Sequence, residues 1–201
     1  MTNIATIREL AGKRGYRDNP VYRQAMINMR LDAFTDEDVQ YLQALYQASK
    51  DAFSRNQIIC AFALTPPDRN LKTFLLAAFK KERMVDMRLA ALRGFAHYAT
   101  EEEVSPLMDK LTEVIRKLPQ QARYPYQEYE LLRSPFGLPY LVEKYGYPCF
   151  TRASEQLHTQ YQALPALCKG FFTLDAQGRH IALLPPEETK ARLAQLLSQT
   201  V

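Results

Sequence analysis

Histidine, cysteine and closely spaced acids are the raw material of hydrolytic, nucleophilic and metal chemistry, and this sequence scatters them. Its histidines, His97, His158 and His180, stand far apart with no His-Glu-x-x-His or other paired spacing, so no zinc site is written in the chain. Its cysteines, Cys60, Cys149 and Cys168, form no close pair, which leaves neither a CxxC metal site nor a disulfide framework. Cys60, set among Ile58, Ile59 and Phe62, reads as a small buried hydrophobe. Gly12-Lys13-Arg14-Gly15 has two glycines but neither the spacing nor the Lys-Ser or Lys-Thr pair of a phosphate loop, and reads as a connector. A Gly-x-Ser-x-Gly elbow and a Rossmann glycine pattern are absent too. These residues predict a chain that is not an enzyme, with no cofactor and no bound metal.

What the sequence does concentrate is arginine on one helix and tyrosine just beyond it. Between Pro119 and Pro148 lie five prolines and six tyrosines. Tyrosine supplies large contact area at little conformational cost and is enriched in interfaces. The residues expected to bind a partner are Arg88, Arg93, Tyr124, Tyr126 and Tyr129, with Tyr140, Tyr145, Tyr147, Arg123 and Arg133 in the same stretch. A competing reading has half of these tyrosines closing the hydrophobic core with their hydroxyls in water. Asp86 and Arg88 are two apart on one helix and do not face each other.

The elements that must position these residues follow a repeat. Val85 to Tyr98 places Leu89, Leu92, Phe95 and Ala96 at helical spacing. Thr100 with Glu103 has the form of a capping box, and opens a helix with Val104, Leu107, Met108, Leu111 and Ile115 on one face. Shifting back by 33 residues puts Leu71, Phe74, Leu75 and Ala78 on Val104, Leu107, Met108 and Leu111, and Arg55 on Arg88. A second shift of 33 puts Tyr41, Leu42 and Leu45 on Phe74, Leu75 and Ala78, with Tyr22 where the arginine stood. A constant offset across two helices and two shifts is the pattern of stacked helix pairs. The fold class predicted is mainly α, a right-handed α-solenoid with a small C-terminal β-hairpin.

Asp86-Met87-Arg88-Leu89-Ala90-Ala91-Leu92-Arg93-Gly94-Phe95 resembles the second helix of a HEAT-type repeat. The likeness is close over this helix and patchy over Arg55 to Phe62. It implies short HEAT- or armadillo-like repeats over about residues 19 to 118. The tetratricopeptide and ankyrin signatures are missing. Such arrays commonly bind proteins. In size and architecture the chain is also similar to bacterial contact-dependent growth-inhibition immunity proteins, a likeness of fold alone that implies a cognate toxin domain as partner. HEAT-like alkylpurine DNA glycosylases supply the alternative, a nucleic-acid binder, although no tryptophan is present and no catalytic acid aligns. HEAT-like lyases of bilin chromophores are a third comparison, recommended only by the short repeat.

Along the rest of the chain, Ile4 to Leu10 reads as a helix, Asn19-Pro20 opens another to about Leu31, and Thr35 caps one to about Ser49. Ser54 is taken as the start of the next, which Pro66-Pro67 ends, followed by a helix over Arg69 to Glu82. Tyr140 and Leu141 fall 33 beyond Leu107 and Met108 and suggest that the second-helix register persists. Thr151 to Leu164 is predicted helical, Phe171 to Leu174 and His180 to Leu184 flank a turn-rich connection, and Pro186 opens a last helix. Residues 1–148 would form the array and 149–201 a helix, hairpin and helix packed on it. Net charge is +4, and most charge runs sit where helix dipoles favour them. Without a signal-like or membrane-length apolar run, the protein is expected in the cytoplasm, off membranes.

Overall fold

Why the chain turns where it does is set by its caps. The computed structural model describes residues 2–31, 33–64, 70–117, 132, 136–166, 169–174 and 180–198. Helix α1, Asn3–Leu10, is capped by Thr2. Asn19 accepts from the N–H groups of Val21 and Tyr22 to open α2, Pro20–Asn28, with Pro20 in its first turn. Thr35 and Asp38 form a full capping box at the start of α3, Asp36–Ala48. Helix α4 spans Ala52–Leu64. Its cap is Asp51, which accepts from both the N–H and the hydroxyl of Ser54 at 3.0 and 2.6 Å. The expected start at Ser54 is therefore two residues late, because that serine lies inside the first turn and is hydrogen-bonded to the cap.

Helices α5, Lys72–Lys81, α6, Val85–Phe95, and α7, Glu101–Lys117, follow. At α7 only half of the expected box is drawn: Glu103 accepts from the Thr100 N–H at 3.0 Å while its carboxylate also holds Lys72. Further along the chain come α8, Leu138–Tyr145, and α9, Pro148–Gln162. Proline opens α9, so it begins before the predicted Thr151. The backbone of Phe172–Leu174 pairs antiparallel with that of His180–Leu183, with an irregularity between Thr173 and Leu174. The expected turn over 175–179 lies outside the described residues. Helix α10, Pro186–Ser198, closes the chain, and Arg192 ties it to the Gly170 carbonyl at 2.9 Å.

The fold is mainly α, with ten helices among the described residues packed against one another. Helix α6 is its centre: every residue but Asp86 is buried. Ile59 of α4 and Leu92 of α6 are both fully buried in one continuous core. The two helices run in the same direction, since Arg55 near the start of α4 reaches Glu82 just ahead of α6, and Ala63 near its end lies against Gly94. A Cβ on Gly94 would stand 2.8 Å from the Ala63 Cα, so only glycine permits this approach. Phe34, Phe62, Phe74 and Tyr46 form a chain of edge-on ring contacts between the first helix pairs.

Helices α7 and α9 also run side by side in one direction. Glu101 accepts from the Cys149 N–H, Arg152 reaches Asp109, and Gln160 donates to the Arg116 carbonyl. The separations here are 48 and 44 residues for the two hydrogen bonds. Upstream, Tyr22 meets Ser54 across 32 residues, Lys72 meets Glu103 across 31 and Lys81 meets Gln47 across 34. The second-helix register therefore does not carry on to Tyr140 and Leu141. Those residues lie on α8, and the helix that runs beside α7 is α9, displaced by the residues inserted after Lys117.

Candidate functional site

Arginine on a helix interior is ordinarily solvated or paired, because an isolated buried charge is expensive. Arg55 obeys the rule. Its Nε and Nη2 grip the Glu82 carboxylate at 2.8 and 3.2 Å, Tyr46 donates to the same carboxylate at 2.7 Å, and Nη1 donates to the Ser49 carbonyl. Arg88 and Arg93 of α6 do not. They are 7% and 8% exposed, and the Nε of each is buried without a hydrogen-bond partner. Among the described residues no carboxylate pairs with either. Arg88 lies over the Phe79 ring at 4.6 Å, and burial lowers its pKa. Burial likewise lowers that of Arg93.

Arg93 looks toward α8, and the spacing of both elements explains what it meets. Arg93 and His97 are four apart at the end of α6; Phe136, Tyr140 and Lys144 are four apart along the start and face of α8. The Arg93 guanidinium lies 5.2 Å from the Phe136 ring centre, and its Nη1 donates to the Phe136 carbonyl at 3.4 Å. Phe136 meets Tyr140 edge-on at 6.3 Å and is itself 56% exposed. The Lys144 Nζ lies 3.3 Å from His97 Nδ1 and donates to the Tyr140 hydroxyl at 2.9 Å, above the rings of Tyr140 and Tyr145. Behind it Tyr147 stacks on Phe150 while Tyr145 lies tilted against both, and the Tyr147 hydroxyl donates to the Ala99 carbonyl. Gly146, left-handed at φ 63°, ends α8 and lets Tyr147 turn back onto this wall.

Electrostatically the strip is cationic. Burial lowers the His97 pKa, Lys144 and Arg93 push it further down, and a bond to the Ala63 carbonyl works the other way. The imidazole is thus held neutral, able to accept from the Lys144 ammonium. Burial raises the Tyr145 phenol well above its ordinary value, and its hydroxyl is buried without a hydrogen-bond partner among the described residues. Burial also pushes the Cys60 thiol up, outweighing Arg93 nearby. The chemistry that the Arg93 and Lys144 side chains offer here is recognition of negative charge, and burial favours the protonated form of the Cys60 thiol nearby.

Of the residues expected to bind a partner, Arg88 and Arg93 sit on α6 as described, sealed rather than laid out on an open face. Tyr124, Tyr126 and Tyr129 lie outside the described residues. Tyr140 and Tyr145 join the Arg93 strip. Sequence reasoning missed Phe136, His97 and Lys144; the four-residue spacing of Phe136, Tyr140 and Lys144 was the available signal. No group of three or more His, Cys, Asp or Glu among the described residues is arranged to hold a metal. No described helix is long and apolar enough to cross a membrane.

No family model matches the chain, and no match was found among curated proteins or solved structures. The likeness to HEAT-type repeats and to immunity proteins gains no support from these comparisons.

Proposed function

We propose that this chain is a non-catalytic protein-binding module built as a short solenoid of stacked helix pairs. The observation that carries the reading is Arg93: a buried guanidinium with no acidic partner among the described residues, at the edge of the central helix, under an exposed phenyl ring. A folded chain keeps such a group against its desolvation cost when something outside supplies the missing charge. Tyrosine, phenylalanine and arginine at one spot are also the composition of binding hot spots. The same-direction packing of α4 with α6 and of α7 with α9 supports the stacked-pair architecture. The small paired segment at 172–183, joined to α10, is read as the hairpin that closes the C-terminal end.

In its sharper form the reading is an immunity or inhibitor protein that binds and neutralises a cognate bacterial toxin domain. The sequence pI of about 8.9 argues against mimicry of a phosphate backbone, so binding depends on shape, aromatic anchors and the cationic strip. Co-expression with the products of neighbouring genes tests it. The expected result is a stable complex with one of them and relief of the growth arrest that this product causes alone. If every neighbouring product elutes separately and growth is unchanged, the reading falls.

A further inference from the structure

The facing rows of α6 and α8 define a ligand chemistry as well as a surface. Arg93, His97 and Lys144 bring three basic side chains together, with Arg93 nine-tenths buried and its Nε unpaired. Among the described residues Lys144 directs its hydrogen bonds to neutral acceptors, the His97 ring and the Tyr140 hydroxyl. The acceptor on Arg93 among the described residues is the Phe136 main-chain oxygen, at the long distance of 3.4 Å. A partly desolvated pair of cations with no acid among the described residues to balance it draws an anion, and a carboxylate fits a guanidinium fork with two parallel hydrogen bonds. Beside the cations Phe136 is among the few large hydrophobic side chains left exposed. A bare anion would leave that ring in water.

We propose that this strip receives an acidic segment of a protein partner, its carboxylate pairing with Arg93 and Lys144 while an adjacent apolar side chain lies on Phe136. The proposal rests on the protein-binding reading and adds the partner's chemistry to it. Two cations, Arg93 and Lys144, gathered around the His97 ring and backed by an aromatic wall, suit a single carboxylate-bearing loop better than the extended phosphate track of a nucleic acid. The net charge of +4 is of the matching sign for an acidic partner.

The test uses the full chain, NMR of the His97 and Tyr140 rings, and two blocked peptides, Phe-Glu-Glu-Gly and Phe-Gln-Gln-Gly. The acidic peptide is expected to shift both rings saturably and the glutamine peptide to leave them still. Lys144→Gln should weaken the acidic peptide roughly tenfold, the scale of a lost charge pair in a partly desolvated contact. Phe136→Ala should weaken it too, with the remaining amide spectrum unchanged in both variants. Equal shifts from the two peptides, or none from either, overturn the proposal. So does inorganic phosphate matching the acidic peptide while Phe136→Ala has no effect, or a short DNA duplex binding the same rings more tightly than the peptide. Its failure is separable from that of the module reading. A neighbouring gene product that binds the Lys144→Gln variant at full affinity removes the strip and keeps the module. Peptide binding without any protein complex does the reverse.

Discussion

Arg55 and Arg88 stand 33 residues apart at matching places on parallel helices, and they live in opposite electrostatic worlds. The hydrogen bond with Glu82 leads the causes that raise the Arg55 pKa, whereas burial lowers that of Arg88. Each lies near an aromatic ring at the equivalent position of the preceding helix: Tyr46 shares the Arg55 carboxylate, and Phe79 lies under Arg88. The difference is the acid. Glu82 is held between α5 and α6, while the residue 33 further on is Ile115, fully buried on α7. Tyr22, one step earlier, joins the next helix through its hydroxyl to Ser54 at 3.0 Å, with no charge at all. The same position thus ties one helix pair to the next by a neutral bond, then by an ion pair. At the third step it presents a cation with no described carboxylate to meet it.

The sharpest way to break this comparison is to make one substitution at both places. Arg55→Met strips the buried Glu82 carboxylate of its main partner and is expected to cost about 3–5 kcal/mol of unfolding free energy, read by urea denaturation. Arg88→Met removes a buried charge and leaves no described acid behind, so stability should hold or rise. Matching losses at both sites would show that Arg88 has a counter-ion after all. Acid sharpens the first half. Burial works to raise the Glu82 carboxyl, but the hydrogen bonds from Arg55 and Tyr46 outweigh it and bring the pKa below its ordinary value. A carboxyl depressed in the folded state adds stability above its unfolded pKa of about 4.3 and loses it as pH falls through the folded value. The wild type should show this acid loss, and Arg55→Met should flatten it.

A smaller effect is expected from the unpaired arginine itself. Exchanging Arg88 for methionine keeps most of the aliphatic stem and the contact with Phe79, so a gain of about 1 kcal/mol is the scale expected from relieving an unbalanced buried charge. The measurement is the same denaturation midpoint, with the slope checked for constancy. A loss of more than that amount would place Arg88 in the class of Arg55 and dissolve the contrast.

How much of this was written in the sequence depends on whether the relevant contact follows the repeat. The shift by 33 found the alignment of Leu75 with Met108 and of Arg55 with Arg88, because amphipathic spacing and repeat length are both one-dimensional signals. The partner of Arg55 was not legible, since Glu82 lies in a turn that carries no period. Near the start of α4 the sequence offers both Asp51 and Ser54, cap-forming types three residues apart, and only the hydrogen bond decides that the helix begins at Ala52 rather than at Ser54. The strip joining Arg93 and His97 to Phe136 and Lys144 spans 43 to 47 residues. That separation belongs to the inserted stretch, so no shift of the repeat brings these residues together.

The least perturbing test separates the second cationic site from the first by pH. His97 is depressed by burial, then by Lys144 and Arg93. A histidine depressed in the folded state favours the neutral ring, so its contribution is complete above the unfolded pKa of about 6.5 and is lost as pH falls through the folded value. This window opens at higher pH than the one that Glu82 governs, so the first loss of stability on acidification, beginning near an unfolded pKa of about 6.5, belongs to His97. Lys144→Gln removes a positive neighbour at 3.3 Å and should raise the His97 pKa toward its ordinary value while leaving the Glu82 step where it was. A titration of the His97 ring protons reads the first and denaturation in acid reads the second. If His97 titrates identically in the variant, Lys144 does not lie against it in solution, and the strip loses the cation that sets it apart from a solitary buried arginine.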